Sequence, residues 1–465
     1  MNKEFKLNDS LKWSFKNFLW EDKKLRYIID FAINRRFTDI YITQWKTVQY
    51  KKNTIITSFV DKENDFDPMI TQNDFQWFLK SILPESNDLW SLNEILSELK
   101  SFDYWIWYNF LHRKKTTDWK YENINEKIRL RLNFENTIDW IMITVRPLID
   151  IWLTFEKLTS LDWAITKENA KNDDDSTLNK AIEELEKMNK ISDLIKSDFS
   201  RTSWLILVTW TTWSWKSTIV TSILEYILKT TDKHVLTLED PIEFILKQST
   251  WKVTQIEVWT HIESFSTGIK WSKRQNPDIV YIQEIRDSTS AKALMELLWS
   301  WVLVITTLHT WSVSETIDRL VWLMSDHSNE EYIRTFVSRQ LISIINQKLI
   351  YIKKKNSDWE EKILTKWLQE YLHINWNSRK SIKDNKYYVL ESLILESLPP
   401  NKSITRTMWN LYLLWTITME ELLKWVTNLD SLESLIKDQY TCVTEEDDIK
   451  MLQTFFWIKD ISNFN

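Results

Sequence analysis

The sequence predicts an α/β protein whose larger, C-terminal part is built on a buried parallel sheet, preceded by a smaller α+β part. From about residue 201, short β-rich runs alternate with helical stretches. The runs are continuously apolar and bounded by turn signals, as expected for parallel strands covered on both faces. One of these runs leads through a short loop directly into an amphipathic helix. Together these observations favour an α/β fold.

The N-terminal residues 1–165 are predicted to form the α+β domain. The stretch "LRYIIDFAINRR" carries apolar residues at helical spacing, which predicts a helix. "DIYIT" (39–43) alternates in polarity as a strand does, and "KIRLRLNF" and "DWIMITVRP" predict two further strands joined by "ENTI".

Residues 166–200 are highly charged and are predicted to form a linker followed by a helix. The first third, from Lys167, has no apolar periodicity. The remainder places apolar side chains near helical spacing, at Leu178, Ile182, Leu185, Met188 and Ile191.

Residues 201–465 are predicted to form the α/β domain. Its strands are expected at "WLILVT", "HVLTLE", "DIVYIQE" and "VLVITTLH". After about residue 320 the chain is predicted to be mostly helical.

The tryptophan and glycine contents are both abnormal. The chain of 465 residues has 29 tryptophans and one glycine, Gly268, where about 30 glycines are expected at this length. The two counts together match that number. Some bacterial lineages read the codon UGA as glycine, and translating UGA as tryptophan would produce this composition. We therefore hypothesise that most of these tryptophans are glycine in the cell. A protein that is rich in tryptophan, read literally, is the alternative.

The remaining composition excludes several classes of protein. The net charge is −6, so no general attraction to nucleic acid or anionic membrane is implied. One cysteine, Cys442, excludes an internal disulfide framework and a multi-cysteine zinc site, and it fits a reducing cytoplasm. The N-terminus lacks a signal-peptide core, and no apolar run reaches the roughly 18 residues of a membrane span. A cytoplasmic protein without direct membrane insertion is expected.

The strand "WLILVT" leads into a candidate phosphate-binding loop. Such loops run Gly, four residues, Gly, Lys, Ser/Thr between a strand and a helix. Consecutive N–H groups wrap the phosphates, which requires close backbone approach and positive φ that only glycine allows freely. With glycine restored, Lys216 would reach the phosphates and the Ser217 hydroxyl would hold Mg²⁺. The loop comprises Trp210, Thr211, Thr212, Trp213, Ser214, Trp215, Lys216, Ser217 and Thr218.

Three further polar motifs follow strands. Glu239, Asp240 and Glu243 lie in "TLEDPIEF", and carboxylates at a strand end suit Mg²⁺ or its waters. Glu284 ends "DIVYIQE", where it would orient or deprotonate water; the alternative is an acid paired with Arg286. His309 ends "ITTLH" and is a candidate sensor of the terminal phosphate; the alternative is a structural histidine.

These four segments, in this order, resemble the ATPases of type IV pili and type II secretion. "TLEDPIEF" is similar to the family's Asp box, "DIVYIQEIRD" to its Walker B segment and "TTLHT" to its His box. The wording "HVLTLEDPIEF" and "HTWSVSETIDRL" most resembles the retraction branch of the family. The single cysteine also favours that branch, because the assembly ATPases commonly carry a four-cysteine zinc site.

The resemblance implies a RecA-like P-loop NTPase domain preceded by a PAS-like domain, with ATP and Mg²⁺ as ligands. It implies that Glu284 is the catalytic glutamate, that Glu239 and Asp240 support metal and water, and that His309 contacts the nucleotide. Arg129, Arg131 and Arg146 match arginines that reach the ATP of a neighbouring subunit. It further implies a homo-hexamer that acts on an inner-membrane platform protein. Gln283 departs from the family's small residue before the glutamate.

The expected function is therefore an ATP-hydrolysing ring motor that drives pilus retraction. Two alternatives stay open. One is an assembly or secretion ATPase with the same chemistry. The other is a catalytically inactive ring scaffold, if Gln283 disables Glu284.

Overall fold

The computed structural model divides the chain into two compact units, Met1–Ile151 and Trp152–Asn465. The predicted finer boundaries at residues 165 and 200 stay predictions. The structure describes residues 17–18, 23–35, 37–43, 45–52, 55–58, 69–74, 101–115, 121–136, 141–148, 154–161, 176–189, 191–201, 204–210, 216–246, 252–325, 329–355, 361–386, 404–414, 416–426, 432–433, 435–436, 448 and 450–452.

The described residues of the first unit include a seven-stranded sheet and a 13-residue helix. In chain order its described elements are β1 (Asn17–Phe18), α1 (Lys23–Arg35), β2 (Asp39–Thr43), β3 (Gln49–Lys52), β4 (Ile55–Ser58), β5 (Ser101–Lys115), β6 (Tyr121–Asn136) and β7 (Ile141–Leu148). The strand order is β1-β5-β6-β7-β2-β3-β4. All neighbours are antiparallel except β1 and β5.

The core of the first unit forms where α1 meets the sheet. Leu25, Ile28, Ile29 and Ala32, the apolar residues that predicted the helix, are all fully buried. They pack with strand residues such as Leu130. The helix and the three strands predicted here are thus confirmed, whereas the PAS-like assignment stays a prediction.

The second unit also contains a seven-stranded sheet, with the order β10-β9-β11-β12-β8-β13-β14. Its strands are β8 (Trp204–Trp210), β9 (Val235–Glu239), β10 (Val253–Glu257), β11 (Ile279–Ile282), β12 (Leu303–His309), β13 (Leu341–Lys355) and β14 (Glu361–His373). All neighbours are parallel except β13 and β14. The predicted α/β fold with a parallel sheet is confirmed.

Helices cover both faces of this sheet. Alternate residues of β8 enter opposite cores, Ile206 and Val208 on one face and Leu205 and Leu207 on the other. The first face packs against α2 (Phe155–Thr159), α3 (Ser176–Asn189), α4 (Ile191–Phe199), α5 (Lys216–Thr230), α11 (Ile404–Leu413) and α12 (Met419–Trp425). The second packs against α6 (Phe265–Ser272), α7 (Ser288–Leu298), α8 (Val313–Met324), α9 (Glu330–Gln340) and α10 (Trp376–Lys383).

The prediction of a mostly helical chain after about residue 320 is wrong for 341–355 and 361–373. These residues form β13 and β14, which pair along their lengths. β13 also joins β8 in parallel. Because both faces of β13 are covered, its apolar residues do not alternate, and a buried strand cannot be told from a helix by periodicity alone.

The charged segment contains two helices, α3 and α4, which confirms the predicted helicity. The predicted linker, the first third of the segment from Lys167, lies outside the described residues as far as residue 175. Arg406 of α11 binds Glu184 of α3 through two nitrogens, at 3.0 and 2.5 Å. Asn410 donates to the same carboxylate at 2.9 Å. This part of the segment is therefore docked onto the C-terminal helices.

Candidate functional site

The sheet brings the four predicted motifs to one edge. Strands β9, β11, β12 and β8 are parallel neighbours in that order. The motifs follow the carboxyl ends of these strands, which end at Glu239, Ile282, His309 and Trp210. The carboxyl edge of an open parallel sheet is where α/β proteins bind ligands.

The strand–loop–helix arrangement predicted at 204–230 is present in its described parts. β8 ends at Trp210 and α5 begins at Lys216, with Ser217 in its first turn and Thr218 buried. The first N–H groups of α5 have no partner within the helix, so this end is suited to an anion. Residues 211–215, which carry Thr211, Thr212, Trp213, Ser214 and Trp215, lie outside the described residues.

Glu284 and His309 meet at this edge. The Oε1 atom of Glu284 lies 3.3 Å from His309 Nε2, and its Oε2 atom lies 2.8 Å from Arg286 Nε. Burial alone would raise the pKa of Glu284, but the hydrogen bonds and charges of His309 and Arg286 outweigh it. The result is a pKa of about 2. The pairing with Arg286 that the sequence offered as the alternative is present, and the same carboxylate also contacts His309. The role of Glu284 toward water stays a prediction.

Glu239 is a second strand-end carboxylate with the opposite character. Its side chain is buried, and its Oε1 atom accepts hydrogen bonds from Thr237 Oγ1 at 2.6 Å and Gln255 Nε2 at 3.0 Å. Burial raises the pKa of Glu239 to about 7, an effect that the two hydrogen bonds oppose and the charges of Glu243 and Glu257 reinforce. One edge therefore holds one carboxylate that is ionised at neutral pH, Glu284, and one whose pKa lies near neutrality, Glu239.

Gln283 connects two of the motifs. Its Oε1 atom accepts the backbone N–H of Asp240, and its Nε2 atom donates to Pro241 O at 3.3 Å. From the sequence, Gln283 was considered only as a residue that could disable the neighbouring Glu284. In the structure its side chain instead holds the segment that carries Asp240, which is half-buried.

The Mg²⁺ ligands predicted from the sequence are Asp240 and Ser217, and their role stays a prediction. Within the described ranges, no three His, Cys, Asp or Glu side chains come together as a metal site would require. Mg²⁺ in phosphate sites is commonly held by one or two protein groups together with water and phosphate oxygens.

The three arginines named from the sequence belong to the first unit, whereas the strand-end motifs belong to the second. Arg131 and Arg146 are opposite each other on β6 and β7. Arg146 Nε lies 2.7 Å from Oδ1 of the buried Asp39. Arg129 is buried.

A parallel sheet wrapped by helices, with a strand–loop–helix beside strand-end carboxylates, defines an α/β fold of the phosphate-loop class. The family model described as "Type II/IV secretion system protein" matches residues 172–407, half of the chain. The chain belongs to this family.

Named relatives agree with the family. The chain is 30% identical over 190 residues to a "Twitching motility protein" of Neisseria gonorrhoeae, covering 41% of this chain and 49% of that protein. It is 37% identical over 146 residues to a "Type IV pilus retractation ATPase PilT" of Pseudomonas aeruginosa, covering 31% and 42%. The match thus spans about half the length of these curated relatives.

Solved structures share the fold. The crystal structure titled "Pilus Retraction Motor PilT and Bound ADP" has a TM-score of 0.64 and 24% identity, and covers 89% of this chain and 100% of that one. The ATPase DotB of Yersinia pseudotuberculosis has a TM-score of 0.65 and 18% identity, covering 89% and 96%.

Proposed function

We propose that this chain is the ATP-hydrolysing ring motor of a type IV pilus system and that it drives pilus retraction. The observation that carries the proposal is the meeting of Glu284 and His309 at the carboxyl edge, in the sheet whose strand β8 leads into α5. The names of the relatives from Neisseria gonorrhoeae and Pseudomonas aeruginosa support the pilus system.

ATP and Mg²⁺ fit the groups at this edge if the loop between Trp210 and Lys216 is free of bulky side chains. Lys216 would hold the phosphates beside the open N-terminus of α5. Ser217 and Asp240 would hold Mg²⁺, directly or through water. Bound Mg²⁺ supplies neutralisation of the phosphate charge. Indole rings at 210, 213 and 215 would fill the space that the phosphates need, so the proposal includes glycine at these positions.

The two carboxylates are proposed to divide the work. With a pKa of about 2, Glu284 is ionised at neutral pH but is a weak base. It therefore orients the attacking water by accepting its hydrogen bond, while His309 fixes the carboxylate. Glu239, whose pKa is about 7, is better matched to accept a proton near neutrality, because general bases are most effective when their pKa lies near the working pH.

Assembly into a ring would complete the site. We propose a homo-hexamer in which Arg131 and Arg146 reach the nucleotide of a neighbouring subunit. Arg146 would then exchange its contact with Asp39 for phosphate oxygens. None of the helices in the described part of the chain is long and apolar enough to cross a bilayer. We also propose, from the resemblance to the family, that the motor works on the cytoplasmic side and passes force to an inner-membrane platform protein.

Phosphate release by the full chain tests the enzymatic part. The parent carries glycine at 210, 213 and 215. Lys216→Ala should abolish turnover, and Glu284→Gln should lower kcat by about 10²–10⁴-fold, as loss of a group that acts on the water does. Ser338→Ala, which removes a buried hydroxyl that bonds within α9, is the control. Turnover that survives Lys216→Ala would overturn the proposal.

Assembly or secretion is the second candidate, because other relatives include a "Type IV pilus assembly ATPase PilB" of Thermus thermophilus and a "Putative type II secretion system protein E" of Escherichia coli. Deletion of the gene separates the roles. Cells that keep pili but lose retraction support the retraction motor, and bald cells support assembly. A folded ring without turnover would support the inactive scaffold.

A further inference from the structure

A buried layer of hydroxyl and amide groups lies beneath the carboxyl edge of the sheet. We call Thr209, Thr310, Thr316 and Asn346 the threonine–asparagine layer; each is at most 2% exposed. Thr209 precedes the last residue of β8, Thr310 follows His309, Thr316 lies on α8, and Asn346 lies on β13. Burial of a polar group lowers the stability of a protein unless the group is hydrogen-bonded. We therefore expect the four side chains to be held together by hydrogen bonds.

Asn346 joins the two chain segments that frame the proposed nucleotide site. Its Nδ2 atom donates to Thr209 Oγ1 at 2.8 Å and to Thr310 O at 3.2 Å. One amide group thereby ties the strand that leads into the loop to the segment that follows His309.

Helix α8 is tied to the same point. Thr316 Oγ1 lies 2.6 Å from Thr310 Oγ1 and 3.3 Å from Thr209 Oγ1. From β14, Glu370 Oε2 accepts the backbone N–H of Val313 at 3.2 Å, in the first turn of α8. Strands β13 and β14 thus hold the start of α8 against the end of β8.

We propose that Asn346 is a positioning residue, which sets His309, and through it Glu284, relative to the start of the phosphate loop. The inference rests on the proposed ATPase function. Asn346 acts through Thr209 and Thr310 and does not itself touch the nucleotide. Its loss should misplace the groups that act on water while leaving the phosphate-binding groups of α5 in place.

The test compares Asn346→Leu with the parent that carries glycine at 210, 213 and 215. Leucine keeps the volume but cannot donate. We expect kcat per nucleotide-binding site, titrated with fluorescent ADP, to fall about tenfold while the affinity for fluorescent ADP changes less than threefold. Counting only the protein that binds ADP removes any contribution of unfolded protein to the lower kcat. Thr209→Val should have a similar effect, and the two substitutions together should be less than additive, because both remove the hydrogen bond from Asn346 Nδ2 to Thr209 Oγ1. Thr209→Ser should restore turnover, and Ser338→Ala should leave it unchanged.

Backbone hydrogen exchange measures the role of Asn346 independently of ATPase activity. Backbone amides of residues 308–311 should exchange about tenfold faster in Asn346→Leu than in the parent, with amides of β9 unchanged. If the parent lacks turnover, the proposed function fails, and this exchange measurement still decides the inference. Unchanged exchange, or unchanged kcat in a parent that turns over, overturns it.

A second inference concerns the tryptophans and rests on backbone geometry. Six non-glycine residues of the described ranges have positive φ, and four of them are tryptophan. Bulky residues are rare at positive φ, whereas glycine adopts it without steric cost and asparagine does so more readily than most. The angles are 59° at Trp45, 91° at Trp204, 67° at Trp259 and 59° at Trp301, with Asn276 and Asn385 as the other two.

Side-chain exposure supports the same division at positions 259 and 301. Trp259 and Trp301 are 64% and 80% exposed, so their rings contribute little to any core. Trp409 is the opposite case. It is fully buried within α11 and lies 5.6 Å from the ring of Tyr412. Glycine there would leave a large cavity and weaken a helix interior.

We infer that positions 45, 204, 259 and 301 are glycine in the native polypeptide and that Trp409 is a true tryptophan. Peptide mass spectra of the protein from its own host test each position separately. Spectra with glycine at the four positions and tryptophan at 409 are expected. Tryptophan at any of the four, or glycine at 409, overturns the assignment at that position. The gene should correspondingly carry UGA at the four codons and UGG at 409.

Discussion

Glu284→Gln should remove a pH-dependent part of the stability of the folded chain. The pKa of this carboxyl falls from 4.5 to about 2 on folding, and each pKa unit corresponds to about 1.36 kcal/mol. The ionised form therefore gains about 3 kcal/mol relative to the protonated form. The Glu284 side chain is only 12% exposed, so solvent screens this gain less than it would at the surface.

The sign follows from the direction of the pKa change. A carboxyl whose pKa is lower in the folded state stabilises that state above its unfolded pKa, here 4.5. The gain is lost as the pH falls toward 2. Linkage gives a loss of about 2 kcal/mol between pH 6 and pH 3. The difference in unfolding free energy between parent and Glu284→Gln should shrink by that amount.

Urea unfolding of both proteins at pH 6, 4.5 and 3 measures the difference. Comparing the two proteins at each pH cancels the titration of all other groups. Glu296→Gln is the matched control, because that carboxylate is exposed and lies 3.8 Å from Lys273; its difference should stay within about 0.5 kcal/mol. A difference for Glu284→Gln that does not change with pH would refute the contacts described at the strand ends.

Substitutions at Glu239, Gln283 and Glu184 should also change the stability of the chain. Glu239→Gln should stabilise the folded chain relative to the parent, and the gain should grow by about 2 kcal/mol from pH 5 to pH 8. The reason is that burial raises the pKa of Glu239 to about 7, so that its ionisation opposes folding. Urea unfolding of both proteins at the two pH values checks this, and a difference in unfolding free energy that is the same at both pH values contradicts it. Gln283→Ala should cost about 1–2 kcal/mol through the lost contacts to Asp240 and Pro241 and lower kcat; equal stability and turnover would show that these contacts are dispensable. Glu184→Gln should lower the free energy of unfolding by about 2 kcal/mol, because it breaks the two-point contact with Arg406. A lower urea midpoint would show this loss. The control is Glu183→Gln, whose partner Lys187 lies on the same exposed helix face, and its loss should be less than about 0.5 kcal/mol.

Much of the sheet of the second unit could be predicted because its strands are short apolar runs with clear ends. Glu284 and His309 could each be predicted as site residues from the sequence, because each stands at the end of such an apolar run. Their contact could not be predicted from spacing, because it depends on β11 and β12 being neighbours. The resemblance to a family supplied the roles, and the strand order supplies the geometry.

The residues that sequence reasoning missed lie in non-local contacts. Gln283 reaches a segment 43 positions earlier in the chain, so its effect on Asp240 is invisible in the sequence. Asn346 was missed because its segment was expected to be helical, and only pairing with β8 and β14 makes it a strand. Strand formation depends on such partners more than helix formation does.

Nucleotide binding by two versions of the chain shows whether the phosphates require a main chain without side chains before Lys216. One version carries glycine at 210, 213 and 215, and the other carries the tryptophans as written. We expect fluorescent ADP to bind the glycine version, and we expect Lys216→Ala to weaken this binding. The tryptophan version should not bind ADP although it is folded. Equal affinity of the two versions would show that the phosphates do not require a main chain without side chains before Lys216, and the proposed nucleotide site would be wrong.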